Sequence, residues 1–434
     1  MNYSETLEFL ARRGNEVQMM HLGLHRTIAM MQALGNPQEQ FRSIHIAGTN
    51  GKGSVAAMVE SILHHAGRKT GLYTSPHLVR VEERIRISGR PVSSRAFAAL
   101  ATRIAAAEAD LLDKKAMDRR LTTFEFLTCC AFLCFAEQKV DVAVVEVGLG
   151  GTLDSTNVIR PEVSVITGIA LDHQNYLGNT LTKIAGEKSG IIKDNIPVVS
   201  GCCVESPRRV IRKRAKEAGA PLIEICDACR IEIRRRIRGH RSIDLHTPVR
   251  DYRNLRLSLA GEYQTRNAAL AVMATENLKS IRIQPQAIRR GLANTRWPGR
   301  LDEYSSRRCT LMDGAHNPEG AQFLRDYLVE QKEKEMHFVF GAVRDKNIKK
   351  MAKYLFPLAT TIHLAGIVNS RSADPADIAD MHRRFRSRIR IHSNMHEALL
   401  AAWRQCSRSG LVVVTGSLYL IGELLPLIQR GCRK

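Results

Sequence analysis

Residues 48–54 read GTNGKGS, following the short apolar run of RSIHIA. Glycines let successive backbone N–H groups turn toward an anion, and a helix beginning at such a turn adds its positive N-terminal end. Gly48, Thr49, Asn50, Gly51, Lys52, Gly53 and Ser54 are therefore the candidate phosphate loop. Lys52 would reach phosphate oxygens, and Ser54 would face a phosphate or a metal ion. The stretch departs from the usual P-loop pattern: only Thr49 and Asn50 separate Gly48 from Gly51, and Gly53 stands between Lys52 and Ser54.

Other chemistry-bearing residues need a place beside that loop. Glu146 ends the β-branched run VDVAVVEVG, and an acid at the carboxyl end of a parallel strand lies where α/β proteins bind ligands. Asp172 and His173 follow a second such run, EVSVITGIA. Lys188 lies in the helix-like TLTKIAGEKSGIIK, and Ser75 in YTSPHLVRVEERI, a loop after another strand. Together they supply oxygen and nitrogen donors suited to Mg²⁺ beside a nucleotide.

These positions require a parallel sheet to carry them. SIHIAG reads as a buried strand, residues 52–66 as the helix leaving the glycine turn, and 122–138 as a helix of high apolar density. Around residues 230–260 the pattern changes to short alternating strands, after which EYQTRNAALAVMATENL resumes as a helix. TRWPGRLDEY, residues 295–304, is the expected joint between domains, because Pro298 and Gly299 break regular structure. Beyond it, CTLMDGA, MHFVFGAV, TIHLAG, RIRIHS and LVVVTGS are strands separated by helical stretches. The expected fold is α/β, with an N-terminal P-loop-type parallel-sheet ATPase domain carrying a small additional β-sheet, residues 1–296. A smaller Rossmann-like α/β domain covers residues 297–434.

Composition narrows the class. A chain of 434 residues exceeds one ordinary core, and its 44% hydrophobic and 25% charged content is that of a soluble globular protein. No run approaches ~18 uncharged apolar residues, so no membrane span is expected. The N-terminus carries acids early and lacks a continuous apolar region, so it does not read as a signal peptide, and the cytoplasm is the expected compartment. Ten cysteines over this length do not form a disulfide framework, and reduced thiols are expected. Cys226 and Cys229 make one CxxC without the second pair a zinc site needs. The net charge of +22 raises nucleic-acid binding, but arginines alternating with isoleucines fit solvated faces that attract small anionic substrates.

HIAGTNGKGSV, TSPHLVRVEERIRISG, LTTFEFLT, EVGLGGTLDSTNV, LDHQNYLGNTLTKIAGEKSGII, PGRLDEY and DGAHNPEGA occur in this order. In these motifs the whole chain resembles the folylpolyglutamate synthase/dihydrofolate synthase family of the Mur ligase superfamily. The resemblance implies an ATP-dependent amide ligase that joins L-glutamate to dihydropteroate, to a reduced folate, or to both, through an acyl phosphate. It implies that Lys52, Lys188 and His173 serve catalysis and that Lys52 binds the β/γ-phosphates. Ser75 and Glu146 would hold one Mg²⁺, Glu146 and His173 a second, with Lys188 carbamylated to complete that site. A monovalent cation such as K⁺ is a further expected cofactor. Asn267, Arg300, Asp313 and His316 would contact nucleotide, and Phe124 and Asp154 the pterin. Tyr263 departs from the histidine many relatives carry there. A monomer is the family expectation. Two other readings stand beside it: a peptidoglycan-precursor Mur ligase sharing the loop and the acyl-phosphate chemistry, and a basic nucleic-acid-binding NTPase. TSPHL, LDSTN and DGAHNP favour the folate branch, while an aromatic content of 5% and Glu146 at the strand end disfavour the NTPase.

Overall fold

Alternation within the β-branched runs decides which face each side chain occupies. Within Val142–Glu146, Val142 and Val144 join one apolar cluster, and Ala143 and Val145 join another on the opposite face. A strand covered on both faces is apolar throughout, as central parallel strands are. The computed structural model describes residues 1–14, 23–237, 239–305, 308–331 and 335–431.

The first sheet contains, in chain order, β1 (Arg42–Ala47), β2 (Thr70–Tyr73), β3 (Ile85–Ile87), β4 (Arg90–Pro91), β5 (Val142–Glu146), β6 (Val163–Ile166), β7 (Val198–Ser200) and β8 (Leu222–Glu224). Their spatial order is β4-β3-β2-β5-β1-β6-β7-β8, with β3 and β4 antiparallel and the rest parallel. Helices Lys52–His65, Tyr263–Glu276 and Pro285–Asn294 pack on the face of Val142 and Val144. Ser94–Asp113 and Thr123–Glu137 cover the other face. The loops leaving β1, β5 and β6 consequently emerge side by side at the carboxyl edge of the sheet.

Residues 230–257 form the small antiparallel sheet β11-β10-β9, with β9 at Arg230–Ile237, β10 at His240–His246 and β11 at Asp251–Leu257. Ile243, Leu245, Leu255 and Leu257 point to the core while Arg234, Arg235 and Arg236 stand in solvent. Several of these arginines are paired, Arg234 with Asp244 at 2.6 Å and Arg236 with Glu262 at 3.1 Å.

The third sheet contains β12 (Asp302–Ser305), β13 (Cys309–Asp313), β14 (Met336–Phe340), β15 (Thr361–Leu364), β16 (Ile389–Ile391) and β17 (Leu411–Thr415) in the order β12-β13-β17-β14-β15-β16. Only β12 is antiparallel to its neighbour. Buried Arg241 of β10 donates to Glu330 of helix Pro318–Glu330 at 2.7 and 2.9 Å, joining the small sheet to this C-terminal layer. The architecture is α/β throughout, a large parallel-sheet unit with a small added sheet, followed by a smaller α/β unit.

The cysteines correct one expectation. Cys129, Cys130 and Cys134 are buried free thiols on helix Thr123–Glu137, but Cys203 and Cys226 are joined as a disulfide. Their pairing leaves Cys229 outside any CxxC bridge. The two partners are 23 residues apart, and only the convergence of the β7–α loop with the short helix Ile225–Ala228 brings them together. Cys432 lies outside the described residues.

Candidate active site

A cavity of about 400 Å³ opens at the carboxyl edge of the first sheet and is walled on its other side by the C-terminal layer. The glycine turn of residues 48–54 forms its floor. Gly51, at φ 89°, is the left-handed residue preceding helix Lys52–His65, and a Cβ there would meet the Asn267 side chain at 2.7 Å. Gly53 is needed for close approach, because a Cβ would strike the Trp297 ring at 2.7 Å. The loop is pinned from β6: Thr167 Oγ1 donates to the Asn50 carbonyl at 2.6 Å, and Thr49 N donates to Gly168 O at 2.8 Å. Lys52 folds back, donating to the carbonyls of Gly48 at 3.1 Å and Thr49 at 3.2 Å. Its ammonium thus stands inside the turn rather than out in solvent. Ser54 Oγ accepts from Gln264 Nε2 at 3.2 Å, and Gln264 Oε1 accepts from Asn267 at 2.8 Å. Asn267 is therefore locked against the loop by a chain of side-chain hydrogen bonds.

Glu146, the last residue of β5, is buried and accepts the Ser75 backbone N–H at 3.2 Å. Burial raises its carboxyl above the ordinary value, and the nearby cations Lys52, Arg300 and Arg84 oppose that shift. Lys188, on helix Leu181–Ser189, is also buried in the wall. Its ammonium is lowered to about 7 by burial, with a further push from Lys52.

Asp172, at the loop after β6, gathers residues from both halves of the molecule. It receives Lys346 Nζ at 2.6 Å and Asn317 Nδ2 at 3.1 Å, and His316 Nε2 stands 3.7 Å away. These partners hold its carboxyl far below the usual range despite burial. His173, at φ 50°, begins the short helix Gln174–Leu177, and its Nε2 lies 3.4 Å from Lys346 Nζ. Burial and the Lys346 ammonium lower its imidazole to about 3, so it is neutral at physiological pH. His316 is likewise lowered, to about 4, by burial and Lys346.

From the third sheet, Asp313 ends β13 and accepts N–H groups from Leu301 at 3.0 Å and Ala315 at 2.9 Å. Burial raises its carboxyl to about 6. Arg300 donates to Gly299 O at 2.9 Å, and its guanidinium faces the same cavity. Tyr263 is stacked on Phe323, ring centroids 5.1 Å apart.

At the far end, Phe124 lies one residue into helix Thr123–Glu137. That helix is fixed by the Thr122–Glu125 capping box and the buried Arg26–Glu125 ion pair at 2.7 Å. The Phe124 ring is half-buried and rests on Gly148, where a Cβ would meet it at 2.4 Å. Asp154 is buried, caps the short helix Ser155–Val158 through Thr156 N at 3.0 Å, and accepts Leu149 N at 2.8 Å. Oδ1 also accepts from Thr156 Oγ1, so a ligand donor would meet Oδ2. Thus Gly48–Ser54, Ser75, Phe124, Glu146, Asp154, His173, Lys188, Asn267, Arg300, Asp313 and His316 all line one cavity.

Comparison with known proteins decides what kind of cavity this is. Residues 46–275 match the Mur ligase middle domain, and residues 301–427 match the dihydrofolate synthetase C-terminal domain. The dihydrofolate synthase/folylpolyglutamate synthase of Bacillus subtilis is 37% identical over 407 residues, covering 93% of this chain and 94% of its own. The folylpolyglutamate synthase of Lacticaseibacillus casei is 36% identical, covering 99% and 100%. Among solved structures, E. coli FolC in complex with DHPP and ADP superposes with a TM-score of 0.89 at 29% identity, covering 99% and 98%. The Mycobacterium tuberculosis folylpolyglutamate synthase complexed with ADP gives 0.91 at 32%, covering 98% of each.

The chain belongs to the dihydrofolate synthase/folylpolyglutamate synthase family. It is an ATP-dependent ligase of dihydropteroate or folates. The Mur ligases share only the superfamily, through the middle domain. No helix among the described residues is long and apolar enough to cross a membrane.

The family fold also brings in residues that sequence reasoning did not single out. Lys346 follows β14, the carboxyl-end position that could have flagged it. Asn317 precedes Pro318 at a helix start, a capping signal, yet its side chain also donates to Asn50 at 2.9 Å and to Asp172. Gln264 carried no separate signal; its part emerges only from the bonds to Ser54 and Asn267.

Proposed function

We propose that the enzyme joins L-glutamate to dihydropteroate and to folates through an acyl phosphate, as a cytoplasmic monomer. A carboxylate is a poor electrophile, so its oxygen first attacks the γ-phosphorus of ATP and ADP leaves. The free amino group of glutamate then attacks the acyl carbon, loses a proton, and phosphate departs. Such transfers depend on positioning and charge neutralisation. The observation that carries this reading is Lys52 standing within the glycine turn, with Glu146 and Lys188 buried along the same cavity.

In this reading Lys52 and the backbone of Gly48–Ser54 hold the β/γ-phosphates. Asn267, Arg300, Asp313 and His316 hold the nucleotide where the two sheets meet. We assign residues 1–296 to the ATP-binding domain and 297–434 to the domain that presents glutamate, a division supported by the matched segments 46–275 and 301–427. Phe124 stacks on the pterin, and Asp154 accepts from its N–H groups.

Mg²⁺ fits the donors present. Buried Glu146 accepts a single backbone hydrogen bond, from Ser75, and faces a cavity that also holds neutral His173. Ser75 with Glu146, and Glu146 with His173, would hold two Mg²⁺ ions, which neutralise phosphate charge when bound. K⁺ is a further cofactor of this reading. An amine lowered to about 7 is in good part unprotonated near neutrality, the form that adds CO₂ and releases a proton to give a carbamate. Carbamylated Lys188 presents anionic oxygen where an ammonium would repel a cation.

The test is ADP release with dihydropteroate, dihydrofolate and a reduced folate, each with and without glutamate. Turnover requiring both glutamate and a pterin carboxylate is expected. ADP release unaffected by glutamate would refute the acceptor assignment.

A further inference from the structure

Beyond the ligation chemistry, the segment between β7 and helix Glu205–Glu217 carries a feature that no step above uses. Cys203, in that segment, and Cys226, on helix Ile225–Ala228, are bonded with their Cα atoms 6.0 Å apart, within the range a disulfide spans without moving the backbone. Both residues are exposed, and Cys203 with Gly201 and Val204 forms part of the cavity wall. Arg266, on helix Tyr263–Glu276, donates to the Gly201 carbonyl at 3.1 Å. Its Nη2 stands 2.6 Å from Cys203 Sγ and 3.6 Å from Cys226 Sγ. The next residue along, Asn267, packs on the phosphate loop.

We propose that Cys203 and Cys226 are a reversible thiol–disulfide modification site on the cavity rim, closed by a low-molecular-weight disulfide, reopened by thiols, and activated by Arg266. A guanidinium beside a sulfur favours the thiolate, which is the attacking form. Exposed sulfurs on a loop and a one-turn helix are open to exchange, whereas disulfides built into a core are not. Six of the other seven described cysteines are poor competitors, because burial raises the thiols of Cys129, Cys130, Cys134, Cys202, Cys229 and Cys406; the seventh, Cys309, lies beside the Glu303 carboxylate at 3.0 Å rather than beside a cation.

The step balances as follows. Cys203 thiolate attacks one sulfur of the external disulfide, forming a mixed disulfide and expelling one small thiolate. Cys226 thiolate then attacks Cys203 Sγ, forming the protein disulfide and expelling the second. Two protein thiols lose two electrons and two protons, and the oxidant leaves as two thiols. The closed bridge ties the 201–204 segment to helix Ile225–Ala228 across Arg266 and so restrains the cavity rim.

The experiment titrates the full-length protein with mixtures of reduced and oxidised glutathione and maps the cysteines by peptide mass. Loss of two hydrogens confined to the Cys203–Cys226 pair and regained on reduction is expected. Cys226→Ser should trap the mixed disulfide on Cys203, and Arg266→Met should slow closure about threefold or more. Amide hydrogen exchange in segment 201–204 should be about threefold slower in the oxidised protein, a readout that needs no nucleotide. ADP affinity should also differ about threefold or more between the two forms; this arm alone rests on the nucleotide reading of the cavity. A pair that stays as thiols in the oxidised mixtures, or a bridge that changes neither exchange nor ADP affinity, would overturn the proposal.

Discussion

Lys346 Nζ lies 2.6 Å from Asp172 Oδ1, with both side chains more than nine-tenths buried, and it joins the third sheet to the edge of the first. Removing one partner of a buried pair strands the other charge, at a cost of roughly 3–5 kcal/mol. Lys346→Met and Asp172→Asn should each lower unfolding stability by roughly 3 kcal/mol, and the double variant by less than the sum. Because the folded carboxyl lies below its ordinary 3.8, the contribution is fully present above that value and is lost as pH falls through the folded pKa. Urea titrations of the four proteins check this; strict additivity would mean the pair is not coupled.

Lys52→Ala should lose about 10²–10³ in turnover, roughly 3–4 kcal/mol of transition-state stabilisation, while the fold survives. Among the described residues the ammonium hydrogen-bonds to the carbonyls of Gly48 and Thr49, which can be hydrated when it is gone. Steady-state ADP release and circular dichroism test the two halves of this statement. A folded variant with undiminished turnover would contradict the phosphate-loop role.

Lys188 is expected to set a pH dependence. With its ammonium lowered to about 7, roughly a tenth of the amine is neutral at pH 6 and most of it at pH 8. Protein stripped of CO₂ should be weakly active and recover on adding bicarbonate, more fully at pH 8 than at pH 6. Labelled CO₂ should appear as a carbamate on wild type and not on Lys188→Ala. A wild-type protein that takes up no label would remove the carbamate from the site.

Phe124→Ala should reduce use of dihydropteroate about tenfold more than extension of a folate already bearing glutamate. The shorter substrate has fewer remote contacts to hold its reacting carboxylate. Measuring kcat/KM for both substrates decides it, and equal losses would assign the ring to packing with Tyr73, 6.0 Å away.

Much of the fold was legible because its signals are local. Val142–Val145 is apolar at every position, as a strand covered on both faces must be, and the glycines at 48 and 51 mark a turn that other residues cannot make. Lys52 and Glu146 were legible for the same reason: each sits at the end of a strand or the start of a helix, where an α/β sheet exposes its ligand edge.

What the tertiary structure alone decided is which distant groups meet. The sequence already specified an α/β ligase fold, the glycine turn that holds Lys52 and the identity of the charged residues along the cavity. Nothing local to Asp172 announces that Lys346 and Asn317, 174 and 145 residues away, will close on it. Nor does the spacing of Cys203 and Cys226 reveal a bridge, since CxxC pointed instead to Cys229. Hydrophobic periodicity and turn chemistry are properties of neighbouring residues. Long-range polar pairing depends on how whole sheets dock, and side-chain types along the chain carry no record of that arrangement.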